Sequence, residues 1–344
     1  MILMSECSSK DCSQRDDSFD VLKGIAILLV IVGHCGTFRF RSFIYSFHMP
    51  LFFFIAGFFL KSRPVSQEIS LSFKRLIVPY AFTSVCICIS VLLYEIVNYS
   101  FSDGSYFQKT VIMYLLGSRG RLSEYLGGNV DVLWFLLALF WARCITAFFN
   151  QKIHSEIICC LLFVVFGILG TFLYKNVFVP YCLAQGLCAV GFVYAGTLMK
   201  KYDILEKETS KNIIPFLFIL WLYSWNQGWV NMAACRFDSG YLISLGSSLG
   251  IFFVLYTLVK NLYGKKSLIW QFVLFCGRYS LVIYSVHAIE KFTCDWKFIS
   301  SFFNIPKDYS SVFQIVIRVL IAYLGARLLL KNKFIREKIF RVEN

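Results

Sequence analysis

Apolar stretches long enough to cross a bilayer, which takes roughly 20 residues of helix, alternate along the chain with short polar connections. The pattern predicts ten spans, at 21–38, 43–60, 76–97, 131–149, 157–174, 177–199, 213–225, 241–263, 271–289 and 312–330. The seventh is short and Trp-rich (Trp221, Trp225, Trp229), which suits an outer end lying in the membrane interface. The stretch 111–117 is too short to cross and reads as an interfacial or re-entrant piece. No segment of the second half repeats one of the first, and no low-complexity linker divides the chain. The expected organisation is a polar N-terminal segment (1–20), one membrane domain (21–330) and a basic tail (331–344).

Composition agrees. Of 344 residues, 58% are hydrophobic and 16% charged, against about 45–50% and about 25% in soluble domains. A soluble fold could not bury this much apolar surface behind so little polar surface. The expected fold class is therefore all-α, a polytopic bundle of about ten transmembrane helices. Residues 1–20 are polar and lead into two apolar runs without a small-residue cleavage site, so the first span is expected to be retained.

The net charge of +14 would suggest nucleic acid in a soluble protein, but no RNA- or DNA-binding module is present. In a membrane protein it reflects basic cytoplasmic connections. With both termini placed inside, the inner segments hold most of the basic residues, among them Lys10, Arg15, Lys61, Arg63, Lys74, Arg75, Lys200, Lys201, Lys265 and Lys266. The outer segments hold fewer, among them Arg39, Arg41, Lys109, Arg119 and Arg121. This predicts both termini in the cytoplasm. The 13 cysteines lack metal-ligand spacing and lie largely in apolar runs, so neither a disulfide framework nor a metal site is expected.

Candidate chemistry rests on the few polar residues inside the spans. At about 1.5 Å per residue, His34 lies about 20 Å up the first span. His48 lies roughly 8 Å below the outer start of the second, and His287 about 24 Å up the ninth. Three of the four histidines thus share the outer half of the membrane, whereas His154 falls in an inner loop. Each alone could be a satisfied packing contact; three at one depth suggest a shared polar cavity. Imidazole is the side chain best suited to exchange a proton near neutral pH. Pro50 is tolerated in the first turn of a helix, so the second helix is expected to begin near His48. His48 could then project into a cavity, or lie among headgroups.

Lys23 and His34 are separated by roughly three helical turns and share one face, about 16 Å apart. Lys23 could snorkel to the headgroups or line an inner vestibule. Arg75, Arg143 and Arg278 gather at inner helix ends, while Glu95 and Arg318 could pair with each other or with other groups. Cations below a histidine-lined cavity suit an anionic donor such as a CoA thioester, because arginine matches phosphate with a planar fork of donors.

The stretches "FDVLKGIAILLVIVGHC", "IYSFHMPLFFFIAGFF", "FKRLIVPY", "DVLWFLLALFWAR" and "GRYSLVIYSVHAIE" resemble the membrane acyltransferase 3 family, within it the fucose 4-O-acetylase-like branch. The carrying features are Lys23, ten residues, then His34; F-H-M-P-L-F-F at 47–53; Arg75 to Tyr80; Trp134 to Leu136; and Ser280 to His287. Val132-Leu133 stand where many relatives have a proline. The resemblance implies transfer of an acyl group, usually acetyl from cytoplasmic acetyl-CoA, to a hydroxyl of an extracytoplasmic polysaccharide or lipid-linked sugar in a bacterial inner membrane. It implies an essential His34 and a donor-holding Lys23. We expect His34 and His48 to be catalytic, Lys23, Arg75 and Arg278 to bind acyl-CoA, and Trp134, Tyr284 and His287 to meet the acceptor. Cys35 beside His34 is a weaker candidate, since adjacent helix positions point in different directions. The rival is a secondary transporter or exporter of a sugar-linked precursor, which predicts paired repeats with matched broken helices.

Overall fold

The computed structural model describes residues 16–35, 41–97, 105–264 and 267–342. Residues 1–15, with Lys10 and Arg15, and the residues Arg39, Lys265 and Lys266 of the orientation argument lie outside the described residues.

Helix α1 (Asp17–Gly33) starts where the Asp16 carboxylate accepts the Ser18 N–H at 2.9 Å, with Asp17 and Asp20 in its first turn. Both features suit the positive end of a helix. The helix ends at His34. The expected second span is two helices, α2 (Arg41–Tyr45) and α3 (His48–Phe58). The break is pinned from two neighbours: Trp221 Nε1 donates to Ser46 Oγ at 2.9 Å, and Ser248 Oγ donates to the Ser46 carbonyl at 3.0 Å. Pro50 lies in the first turn of α3, so the helix starts at His48 as expected.

Helix α4 (Val65–Ser72) passes through a π-helical turn, Phe73–Ile77, into α5 (Val78–Val97). Two short helices follow, α6 (Ser105–Leu116) and α7 (Arg121–Leu126); the first carries the 111–117 stretch up to Leu116, and Gly117 turns out of it at φ 57°. Then come α8 (Trp134–Lys152), α9 (Glu156–Asn176), α10 (Leu183–Lys201) and α11 (Glu208–Gln227). A small hairpin, β1 (Val230–Asn231) and β2 (Arg236–Phe237), pairs Val230 with Phe237 and Asn231 with Arg236. The chain closes with α12 (Tyr241–Leu262), α13 (Leu268–Arg278), α14 (Ser280–Thr293), α15 (Trp296–Phe302) and α16 (Lys307–Lys331).

Among the described residues, six helices are long and apolar enough to cross a membrane. The bent pair α13–α14 would make a seventh; its two halves meet at 81°, where a single straight span was expected. The remaining expected spans are helical but differ from the ten-span reading. Helix α1 has 17 residues and α3 has 11, and α11 contains Pro215. Trp221 is buried against Phe43 and Phe47. The C-terminal segment packs back on the bundle: Phe340 is buried and its ring meets Phe82 of α5.

Helix α1 occupies the middle of the bundle, against α3, α12, α13, α14 and α16. Its crossing with α13 brings backbones into contact: a Cβ on Gly24 would collide with the Val273 carbonyl, and one on Gly277 with the Asp20 carbonyl. Small residues at such crossings let membrane helices approach closely. A buried charge cluster fixes α4 against α8. Glu68, fully buried, accepts from Arg143 Nη2 at 2.7 Å, from Arg143 Nε at 3.0 Å and from Ser72 Oγ at 2.7 Å. Arg63 Nε stands 3.3 Å from its other oxygen.

Candidate active site

At the end of the bundle where α1 stops, a cavity of about 220 Å³ is lined by His34, His48, Trp134 and Tyr284 of the expected set. Arg41, Tyr45, Arg119, Asp131 and Lys291 line it too, and Asn231 to Ala234 of the hairpin segment close over it. The two histidines are held alike. His34 Nδ1 lies 2.7 Å from the Val30 carbonyl, and His48 Nδ1 lies 2.6 Å from the Ile44 carbonyl. A carbonyl only accepts, so each Nδ1 carries a proton and each neutral ring keeps its lone pair on Nε2. The Tyr45 ring sits between them, 6.5 Å from His34 and 5.0 Å from His48 between ring centroids.

Asp131 forms an ion pair with Lys291 and adopts φ 44°, the left-handed region. A non-glycine residue held there stores about 1–3 kcal/mol of strain and is often found at functional sites. The Tyr284 hydroxyl donates to the Val132 carbonyl, fixing the α14 side of the cavity against the turn that leads into α8. The roof is braced by Asp238, which accepts from Arg236 Nε at 2.7 Å, Arg236 Nη2 at 2.8 Å and the Trp229 N–H at 2.9 Å. Hydrogen bonds from the Arg236 guanidinium, then from Trp229, hold the Asp238 carboxyl below its ordinary range.

His287 does not line the cavity. It is fully buried behind His34, with ring centroids 5.4 Å apart. Its Nδ1 meets Glu290 Oε1 at 2.6 Å, and its Nε2 is buried without a hydrogen-bond partner. Glu290 also accepts from Trp296 Nε1 at 3.0 Å and stands 3.8 Å from Arg318. Arg318 in turn lies over the Trp296 ring, 4.5 Å from its centroid. Arg318 and Glu95 therefore have separate partners: Glu95 accepts the Phe107 N–H. Cys35 is buried, and its thiol donates to the Ile31 carbonyl, away from the cavity lining.

At the opposite end of α1, a larger cavity of about 730 Å³ is lined by Lys23 and Lys200 together with Asp16, Asp20, Asp203 and Glu206. Lys23 Nζ pairs with Asp20 at 2.6 Å, and Arg278 pairs with Asp17 at 2.9 Å and approaches Asp20 at 3.8 Å. Asp20 thus brings Lys23 and Arg278 together, but both cations already face carboxylates. Arg75 is exposed on the π-helical turn and lines neither cavity, although its neighbour Leu76 lines the space between them.

That space is an apolar corridor of about 180 Å³. Lys23 lines both the corridor and the larger cavity, while Met49 and Tyr284 line both the corridor and the histidine cavity. One face of α1 follows the whole route: Lys23, Ile27, Val30 and His34, at helical spacing.

Sequence reasoning missed Asp131, Arg119, Arg41, Lys291 and Glu290 as members or neighbours of the site. Glu290 had a signal, standing one helical turn after His287. In the sequence, Arg41 and Arg119 look like ordinary topology charges. Asp131 and Lys291 come from separate segments, and only the fold joins them. Compared with known families, residues 16–329 match the acyltransferase 3 model, described as an acyltransferase domain. No curated protein and no solved structure matches the chain.

Proposed function

This chain belongs to the acyltransferase 3 family, and on that premise we propose that it is a membrane O-acyltransferase. It moves an acyl group, acetyl in our reading, from cytoplasmic acyl-CoA to a hydroxyl of a cell-surface polysaccharide or lipid-linked sugar. The observation that carries the reading is the route just described: a basic residue at one end, an apolar corridor, and a polar cavity holding two histidines with Nε2 available. A CoA thioester has that shape, with phosphates at one end and a thin arm bearing the acyl group at the other.

In this mechanism the donor phosphates take Lys23 from Asp20, and the pantetheine arm fills the corridor. The acyl carbonyl reaches the floor of the histidine cavity. An acceptor hydroxyl gives its proton to His34 Nε2 as its oxygen bonds to the thioester carbonyl carbon. When the tetrahedral intermediate collapses, the carbon–sulfur bond breaks and the proton passes from His34 to the departing thiolate. His48 Nε2 orients the hydroxyl, and Trp134 and Tyr284 wall the acceptor. Arg278 lies at the donor end beside Asp17 and Asp20, Arg75 lines neither cavity, and His287 supports His34 from behind. In this reading ten segments cross the membrane, with both termini cytoplasmic and the histidine cavity outward, and the basic inner connections support that orientation.

The test supplies radiolabelled acetyl-CoA to membranes containing the protein and extracts the glycan fraction. Label in a base-labile O-ester is the expected result. Substrate flux without transfer of label would instead favour the transporter reading, to which the broken α13–α14 pair gives some structural footing.

A further inference from the structure

The histidine cavity carries positive charge that the transfer step does not use. Its charged lining, histidines aside, is Arg41, Arg119 and Lys291 against the single carboxylate of Asp131. Lys291 is paired with that carboxylate. Arg119 Nη2 donates at 3.2 Å to a neutral group, the Asp131 carbonyl, and Arg119 Nε is buried without a hydrogen-bond partner. Arg41 lies against the Tyr45 ring, 5.7 Å from its centroid. Among the described residues, neither guanidinium forms an ion pair of its own, and Arg119 only shares the field of the Asp131 carboxylate that Lys291 already pairs with. Both side chains are half-buried, and a cation partly withdrawn from water without an ion-pair partner is left under-compensated. Two such cations on the wall of a reaction cavity balance best when an anion enters with the substrate. The planar fork of a guanidinium matches a carboxylate or a phosphate.

We propose that the acceptor is an anionic glycan, whose carboxylate or phosphate is held by Arg41 and Arg119 while a hydroxyl of the same unit faces His34. This inference rests on the acyltransferase reading and adds the substrate class to it. The donor's own phosphates are the competing explanation for these cations. Size opposes it: at about 220 Å³ the cavity is smaller than the roughly 300–1,000 Å³ of sites for drug-sized ligands, and it suits a sugar ring better than a nucleotide. The donor end of the route is also separate, at Lys23.

The test uses the full chain in lipid nanodiscs, titrated calorimetrically with D-glucuronate, D-glucose 1-phosphate and D-glucose. One anion should bind at least about tenfold more tightly than glucose, with an advantage that shrinks as salt rises. Whichever anion wins distinguishes carboxylate from phosphate. Arg119→Gln and Arg41→Gln should each remove most of that advantage. The wild-type comparison needs no variant, so it stands even if a substitution impairs folding. Equal binding of glucose, no binding of either anion, unchanged binding in both variants, or displacement of the bound anion by adenosine 3′,5′-bisphosphate would each overturn the proposal. CoA release from acetyl-CoA is followed in the same nanodiscs. Its absence beside intact anion-selective binding would overturn the acyltransferase reading and leave the anion site standing.

Discussion

At His34, one hydrogen bond decides which nitrogen can act. With Nδ1 donating to the Val30 carbonyl at 2.7 Å, the lone pair is on Nε2, and rotating the ring would exchange a satisfied donor for an unsatisfied one. His34→Ala should therefore keep the bundle and lose turnover by about 10²–10⁴-fold, the usual contribution of a general base. Full activity of a monodisperse His34→Ala protein in the acetyl-CoA assay would remove it from the mechanism. Glu68 illustrates the opposite kind of residue, important for folding and remote from the chemistry. It is the shared acceptor for Arg143 and Ser72. Glu68→Ala should cost about 3–5 kcal/mol, because it leaves Arg143 largely buried without its counter-charge. Thermal unfolding in detergent would read this as a marked drop in midpoint. The sequence exposed the histidines at once, since ionisable groups stand out in apolar runs. It hid the pairings, because Glu68 and Arg143 lie 75 positions apart.

Elements explain how such residues are brought into register. The α1–α13 crossing works only because Gly24 and Gly277 let the two backbones touch. Gly277→Leu should separate the helices, disturb the Lys23–Asp20–Arg278 cluster and yield mostly misfolded protein on size-exclusion chromatography. The α2–α3 break aims His48 into the cavity, and its pins come from α11 and α12. Hydropathy could not see that break, since both halves are apolar; only Pro50 hinted where the second helix begins. The hairpin that roofs the cavity depends on Asp238. Its folded carboxyl titrates below the ordinary range, so its contribution is complete above the unfolded value of about 4 and is lost as pH falls through the lower folded value. Limited proteolysis of the 228–240 segment should therefore quicken in acid, below about pH 4. In Asp238→Asn it should already be fast at neutral pH. A wild-type hairpin equally resistant at every pH would contradict this account.

Across the whole molecule, the decisive feature is a route along one face of α1, from Lys23 to His34, enclosed by α3, α8 and α14. Blocking its middle should stop transfer without touching either end. Ser280 lines the corridor, and Ser280→Trp adds a large ring to a space of about 180 Å³. The expected outcome is loss of acetyl transfer with binding of the preferred sugar anion at the histidine cavity retained; normal transfer by this variant would mean that the donor arrives another way. The sequence by itself determined the all-helical membrane class, the family resemblance and the pairing of Lys23 with His34 on one helix face. Those depend on local composition and on a 3.6-residue period, which a linear chain displays directly. Tertiary structure alone decided that Arg41, Arg119, Asp131 and Lys291 surround His34, that His287 stands behind it on Glu290, and that Arg75 lies outside. Such groupings arise from packing between segments far apart in sequence, where no local period records which neighbour a side chain will meet.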